Sequence, residues 1–336
     1  MNNVTERQWE RDFLEIKKLP LPWQHLKNRR IFMTGATGFI GSYFIKGLCC
    51  LNEWLSLELE LELFYRTGAE PPFSARCVRW IKGTMAEKFI PETFRPDIII
   101  HAASPANQQD ILADPIGVVD CNVLATRYVL ERARKDHSIF VFFSSGEVYQ
   151  RQPGRIVEQS ARSLAQSSAR SFYGSNKLAG ELLCERYREE YGVDCRILRP
   201  FSIFGPGEPL TSGRCFTDFI RQVREARKIQ VNGPGTQIRS CCYLSDFFSG
   251  LLYVLLNGKS AVYNFGNEDN VCSILELAQQ VAGLYGNTAV IGPLSVSAQA
   301  DSFVPDTTKL RQLGWRPQVH LQDCIQRCLN SYLEGE

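Results

Sequence analysis

The turn Thr34-Gly35-Ala36-Thr37-Gly38-Phe39-Ile40-Gly41 sets glycines at i, i+3 and i+6 between an apolar run, Arg30 to Thr34, and a helical stretch from about Phe39. Glycines at this spacing let a chain leave a strand, turn tightly and start a helix whose first backbone N–H groups face an anion. A dinucleotide pyrophosphate is the anion such a turn fits when a strand precedes and a helix follows. The order strand, turn, helix therefore points to a cofactor held by Gly35, Thr37, Gly38, Phe39, Ile40 and Gly41, and it predicts βαβ units with a parallel sheet.

The rest of the chain keeps that rhythm. Strands are expected over Leu57 to Tyr65, Ile98 to His101, Phe140 to Ser144 and Cys195 to Arg199, with helices near Pro115 to Lys135 and Tyr173 to Tyr191. This alternation predicts an α/β fold, a Rossmann-type doubly wound parallel sheet. After Pro200 the pattern loosens, with Pro and Gly clustered at Phe204 to Pro209 and Asn232 to Gly235, as expected of a smaller C-terminal α/β substrate-binding region. The expected division is a helical N-terminal extension over 1–29, a dinucleotide-binding domain over 30–200 and the substrate-binding region over 201–336, with part of 240–264 returning to the main sheet. The extension carries Trp9, Phe13, Leu14 and Ile16 among charges and ends at Leu19-Pro20-Leu21-Pro22.

Charge narrows the partners. Lys and Arg number 38 against 36 Asp and Glu, so no broad field draws nucleic acid or an anionic membrane, and phosphate recognition must be local. No apolar run reaches the roughly 18 residues of a bilayer span, and Met1 to Lys18 lacks a signal-peptide core, so a cytoplasmic protein is expected. The 12 cysteines are scattered without a Cys-x-x-Cys pair and read as reduced, mostly buried thiols; the four histidines lie apart, and no metal is expected.

An acid about 20 residues past the glycines selects the ribose hydroxyl of NAD. Here Phe64-Tyr65-Arg66 stands at that point, and Arg66 can accept a 2′-phosphate or stack on adenine, so the cofactor reading is NAD with NADP left open. Tyr173-Gly174-Ser175-Asn176-Lys177 opens a helix, and i, i+4 spacing puts Tyr173 and Lys177 on one face. A phenol of pKa about 10 becomes a usable proton acceptor when an ammonium and a cationic nicotinamide lie beside it. Strand Phe140 to Phe143 runs into Ser144-Ser145-Gly146-Glu147-Val148-Tyr149. Strand carboxyl ends of a doubly wound sheet face the ligand, so Ser145 can bond a reacting oxygen and Glu147 can move a second proton.

These segments, with His101-Ala102-Ala103-Ser104, occur in an order that resembles the NAD-dependent epimerase/dehydratase family of extended short-chain dehydrogenases. The likeness continues through Arg199-Pro200-Phe201-Ser202-Ile203-Phe204-Gly205-Pro206, Gly235-Thr236-Gln237-Ile238-Arg239, Tyr263-Asn264-Phe265-Gly266-Asn267 and Leu313-Gly314-Trp315, and covers nearly everything after residue 30. The resemblance implies that Tyr173 is the base, that Lys177 holds the nicotinamide ribose and tunes the tyrosine, and that Ser145 bonds the sugar hydroxyl. It sets Ala102, Ala103, Ser104, Asn122 and Pro200 against the cofactor, and Ser104 and Ser202 against a nucleotide-diphosphate sugar. Arg239 would meet the nucleotide phosphates, with Arg214 a second substrate-side arginine. Glu147, two residues before Tyr149, is similar to the UDP-glucuronate decarboxylase and nucleotide-sugar 4,6-dehydratase branch. Such relatives dimerise through two helices, here those near Pro115 to Lys135 and Tyr173 to Tyr191, and serve polysaccharide biosynthesis.

Three positions depart from that pattern. Gly146 replaces the acidic Asp of many 4,6-dehydratases, Ser202 a frequent Asn, and Ser240 a frequent Asp. The implied chemistry is C4 oxidation to a 4-keto sugar, then loss of water or of carbon dioxide. Rival readings are a 4-epimerase, which needs Tyr173 and Ser145 but not Glu147, an NADPH-dependent keto-sugar reductase, and a cofactor-binding scaffold that has lost catalysis.

Overall fold

The computed structural model of the protein describes residues 3–66, 71, 73–84, 90–152, 154–162, 168–286, 288–292 and 302–333. Its elements begin with α1 (Asn3–Lys17), a 3-10 turn (Trp23–Leu26), β1 (Arg30–Thr34), α2 (Phe39–Leu55), β2 (Glu60–Arg66), β3 (Val78–Gly83) and β4 (Ile98–His101). Next come α3 (Gln108–Ala113), α4 (Pro115–Val119), a π turn (Asp120–Leu124), α5 (Ala125–Asp136), β5 (Ile139–Phe143), a 3-10 turn (Gly146–Val148), β6 (Arg155–Ile156) and α6 (Ala169–Tyr191). The chain continues through β7 (Cys195–Pro200), β8 (Ile203–Phe204), α7 (Cys215–Ala226), β9 (Lys228–Gln230), β10 (Ile238–Ser240), β11 (Cys242–Tyr243) and α8 (Leu244–Asn257). It ends with β12 (Val262–Phe265), β13 (Val271–Ser273), α9 (Ile274–Tyr285), β14 (Ala289–Ile291), β15 (Ser302–Pro305), α10 (Thr308–Arg311) and α11 (Leu321–Leu333).

Seven strands form one parallel sheet in the order β12-β7-β5-β4-β1-β2-β3. The chain winds outward from β1 to β3, then crosses back to β4 and winds the other way, so this is the doubly wound sheet expected. The reversal between β1 and β4 opens a crevice at the strand carboxyl ends. Buried on both faces, β1 splits its side chains: Ile31 and Met33 join a core with α2 and α8, while Phe32 packs with Phe140, Phe142 and Val129 on the opposite face. A third core gathers α7, α9 and α11 through Phe219, Val223, Val281 and Ile325. The second sheet, β13-β10-β15-β6, draws β15 and β6 from distant parts of the chain. No helix among the described residues is long and apolar enough to cross a membrane.

Several features differ from expectation, among them the start of α6 at Ala169 rather than near Tyr173. Leu57 lies ahead of β2, because Ser56 and Glu58 take positive φ and Leu57 N–H still bonds Asn52 O; the strand starts at Glu60. The helix expected over Pro115 to Lys135 is interrupted by the π turn at Asp120–Leu124. The edge strand β3 was masked in sequence by Arg79 and Lys82 within Val78–Gly83.

Helix α1 is docked between the two halves of the chain. Trp9, Phe13 and Ile16, one stripe at helical spacing, are buried, each contributing about 1.5–3 kcal/mol. Phe13 reaches α2 because Gly47 has no side chain: a Cβ there would lie 2.9 Å from the Phe13 ring and 2.3 Å from Phe248. Buried Asp12 accepts hydrogen bonds from Tyr43 of α2, Tyr243 of β11 and Arg327 of α11. Trp9 Nε1 donates to Pro206 O at 2.9 Å, tying the segment after β8 to the same helix.

Candidate active site

The glycine turn is shaped by collisions that side chains would cause. Gly35 has φ +75°, and a Cβ would stand 2.6 Å from the backbone of Ala102 and Ala103. At Gly41 a Cβ would meet Gly35 O at 2.0 Å. Gly38 is different: exposed, with its nearest protein atom 3.4 Å from a Cβ, it leaves open space above the first turn of α2. No side chain caps that helix, so its leading N–H groups remain for an anion. Thr37, Phe39 and Ile40 around it are half-buried, and the residues present fit a pyrophosphate.

A hydrogen-bond relay locks the turn to β4. His101 is buried between β1 and the π turn, and burial, reinforced by the Lys177 charge, pushes its pKa down to about 3, so the ring is neutral. Nε2 lies 3.1 Å from Cys121 O, which can only accept; Nε2 therefore carries the proton and Nδ1 accepts from Thr34 Oγ1 at 2.7 Å. Thr34 Oγ1 in turn accepts Ala103 N–H at 3.2 Å. The sequence showed nothing of this role for Thr34 and His101. The next residue in the π turn, Asn122, is fully buried; its Nδ2 donates to Val118 O, while its Oδ1 has no hydrogen-bond partner among the described residues. A buried acceptor without a donor costs about 1–3 kcal/mol.

Tyr173 and Lys177 sit in the first turns of α6, which starts with a Ser168–Ser171 capping box. Gly174 lets that helix touch the strand-end turn: a Cβ would be 2.4 Å from Glu147 O. Tyr173 is thus brought beside Ser145 and Ser104. It keeps some surface open to the crevice, yet the protein packed around it makes desolvation dominant and pushes the phenol up to about 12. The Arg214 charge and hydrogen bonds with Ser104 and Ser145 oppose that rise, and Glu147 adds to it. Arg214, which the sequence placed on the substrate side, is thus also a cation acting on Tyr173. Lys177 is buried, donates to Phe143 O at 2.6 Å and lies 5.8 Å from the Tyr173 ring centre; burial pushes its pKa down to about 7.

Ser145 caps the 3-10 turn by accepting Glu147 N–H at 3.1 Å. Glu147 points both carboxylate oxygens at Arg151 Nη2, at 3.1 and 3.0 Å, with Arg170 Nε at 3.7 Å. Arg151 in turn lies 3.6 Å over the ring centre of Phe303. A Cβ on Gly146 would stand 2.6 Å from Phe303 and 3.1 Å from Phe201, two tilted rings with centres 4.4 Å apart. Arg151, Arg170, Phe201 and Phe303 were missed in sequence: three lie outside the strand-end motif, and Phe201, inside the Arg-Pro segment, carries no polar signature.

Beneath the turn, Arg199 of β7 and Glu181 of α6 form a fully buried two-bond ion pair at 2.8 and 2.5 Å; Ser144 also bonds Glu181, and Tyr149 bonds Arg199. Arg214 begins α7, half-exposed, with Nη1 on Ile203 O at 2.6 Å and Nε 3.4 Å from buried Glu208. Arg239 of β10 lies 6.0 Å from the ring centre of Phe303. Ser202 takes φ +39°, a conformation Asn tolerates better than Ser, and its carbonyl accepts Cys242 N–H. Pro200 ends β7 opposite Phe265, and Arg66 ends β2, exposed.

The sequence profile of the NAD dependent epimerase/dehydratase family matches residues 31–266. UDP-glucuronic acid decarboxylase 6 of Arabidopsis thaliana is 29% identical over 320 residues, covering 91% of this chain and 90% of that protein. UDP-glucuronic acid decarboxylase 1 of Xenopus tropicalis is 28% identical over 335 residues, covering 96% and 76%. Among solved structures, the dTDP-glucose 4,6-dehydratase of Streptomyces venezuelae with NAD bound superposes with a TM-score of 0.77 at 23% identity, over 91% of this chain and 97% of that one. A UDP-glucose 4-epimerase of Thermotoga maritima with UDP-glucose gives a TM-score of 0.77 at 19% identity, over 91% and 99%. The fold, the glycine turn and the profile agree: the chain belongs to the NAD dependent epimerase/dehydratase family.

Proposed function

We propose that the protein oxidises C4 of a nucleotide-linked uronic acid and releases its C5 carboxylate as carbon dioxide. The observation that carries this choice is Gly146. Elimination of a C6 hydroxyl needs an acid to protonate the leaving oxygen. At this position the chain offers no side chain, and Phe303 and Phe201 fill the place one would take. Decarboxylation needs no such acid, because a carboxylate β to a ketone leaves once C4 is oxidised. The decarboxylase relatives support the same reading.

Gly35, Gly38, the first turn of α2, Ala102 and Ala103 would hold the dinucleotide, with Lys177 and Asn122 Oδ1 on its nicotinamide side. A dinucleotide held there would supply the hydride acceptor for oxidation at C4. Tyr173 takes the C4 hydroxyl proton and gives it back at the end; Ser145 holds the same oxygen. Arg214 lowers the cost of the phenolate and, with Arg239, offers charge to the diphosphate. C5 takes its new proton from water, so one uronate and one proton yield one pentose and one carbon dioxide. Glu147, neutralised by Arg151 in the resting site, is proposed to act on the C5 side. NAD is the cofactor assigned; Arg66 favours a second reading, NADPH-dependent keto-sugar reduction, which stoichiometric consumption of cofactor would identify.

Incubation with UDP-glucuronate, UDP-glucose and dTDP-glucose, followed by mass spectrometry, tests the assignment. Loss of carbon dioxide from the uronate supports it; loss of water from a neutral sugar overturns it. The exposed apolar residues Ile116, Leu124, Leu182 and Tyr191 lie on α4, the π turn and α6, and support a homodimer through that face. Light scattering of Ile116→Arg/Leu182→Arg, expected to be monomeric, checks it.

A further inference from the structure

All 12 cysteines are free, and seven of them are buried. Two pairs lie wholly in the interior: Cys184 with Cys195, and Cys241 with Cys272. A third pair is different. Cys49, in the third turn of α2, and Cys77, just ahead of β3, are only half-buried, and their sulfurs are 3.6 Å apart. A disulfide requires about 2.05 Å, so about 1.5 Å of closure separates the pair from a bond.

The two sulfurs are not equivalent. One hydrogen bond joins the two sulfurs, and the backbone N–H of Cys77 and the Asn52 side chain also point donors at the Cys77 sulfur. Burial opposes these donors, and the balance brings Cys77 down to about 7. Its bond to Cys77, together with burial, holds Cys49 well above the usual thiol range. Two thiols in direct contact, the more acidic of them Cys77, make the arrangement of an attacking and a resolving cysteine.

We propose that Cys49 and Cys77 form a redox-reactive dithiol that hydroperoxides close to a disulfide. The Cys77 thiolate attacks a peroxide oxygen, giving Cys77 sulfenic acid and hydroxide, which the proton shed by Cys77 converts to water. The Cys49 sulfur then displaces hydroxide from the Cys77 sulfur, and the Cys49 proton leaves with it as a second water. Two thiols and one hydrogen peroxide thus become one disulfide and two waters. The bond ties α2, the helix that begins at the glycine turn, to the edge strand of the sheet.

The test is hydrogen peroxide titration of the full chain carrying Cys50→Ser, which removes the neighbouring thiol, followed by alkylation and non-reducing peptide mapping. The expected result is a Cys49–Cys77 cross-linked peptide, lighter by two hydrogens, formed before any other cysteine changes and reversed by dithiothreitol. Cys49→Ser should instead accumulate Cys77 sulfenic acid, trapped by dimedone, because the resolving thiol is gone. Cys77 still fully alkylated after exposure that oxidises free cysteine overturns the proposal. So does a first cross-link within either interior pair.

Discussion

The two turns at the carboxyl edge of the sheet are built on opposite principles. Between β1 and α2 the backbone itself makes the site: Gly35 and Gly41 exist because neighbouring carbonyls and amides occupy the space of a side chain. After β5, the turn from Ser144 to Arg151 takes its chemistry from side chains, several from remote segments: Phe303 from β15, Phe201 after β7 and Arg170 from α6. A backbone-made site accepts one ligand shape and tolerates little variation. A site walled by side chains keeps its reactive hydroxyl and phenol while the reaction changes around them.

The largest effect expected belongs to the group both turns serve. Tyr173→Phe should lower turnover about 10²- to 10⁴-fold while dinucleotide binding, followed by fluorescence, is unchanged; a mild loss would mean that another group takes the proton. The first turn should then split under alanine. Gly35→Ala, strained at positive φ and in collision with Ala102, should cost about 3 kcal/mol or more of stability in urea unfolding. Gly38→Ala should unfold within about 1 kcal/mol of the parent yet bind dinucleotide at least about tenfold more weakly. Equal behaviour of the two would erase the distinction between a glycine shaped by protein and one shaped by ligand.

For the second turn, Gly146→Ala should cost about 1–3 kcal/mol through Phe303, without adding dehydration of neutral sugars. Pairing it with Phe303→Leu should recover part of that loss, measured as a double-mutant cycle. The smallest effect concerns pH. Lys177, lowered to about 7 by burial, loses its charge as pH rises through that value in the cofactor-free protein. Dinucleotide affinity should weaken over the same window, and Lys177→Arg, charged throughout, should bind with a flat profile. The same shift makes a stability statement: because the folded pKa lies below the unfolded one near 10.5, Lys177 favours unfolding at neutral pH, and this cost fades as pH climbs from about 7 towards 10.5.

The contrast also explains what could be read in advance. The α/β alternation, the glycine turn and the Tyr173–Lys177 helix follow from local rules: strand and helix periods, turn glycines and i, i+4 spacing. Gly174 was visible as a residue but not as a reason, since its function is to admit the Glu147 carbonyl from another element. Arg151 carries no motif of its own, and only its place over Phe303 sets it in the wall. The phenol of Tyr173 also feels Arg214, 41 positions away in sequence, because charge acts through space and sequence distance carries no electrostatics. The N-terminal helix was legible as amphipathic, and its partners were not.

That helix has a consequence for how such chains recombine. Asp12 bonds Arg327, Thr5 bonds Ser331, and Trp9 bonds the segment at Pro206, so the first and last helices are neighbours through named side chains. A crossover between two homologous genes that exchanged only the C-terminal portion would separate α1 from α11 and strand the Asp12 carboxylate in the interior. The unit that can be inherited intact therefore includes both α1 and α11, and a productive chimera would keep the two from one parent.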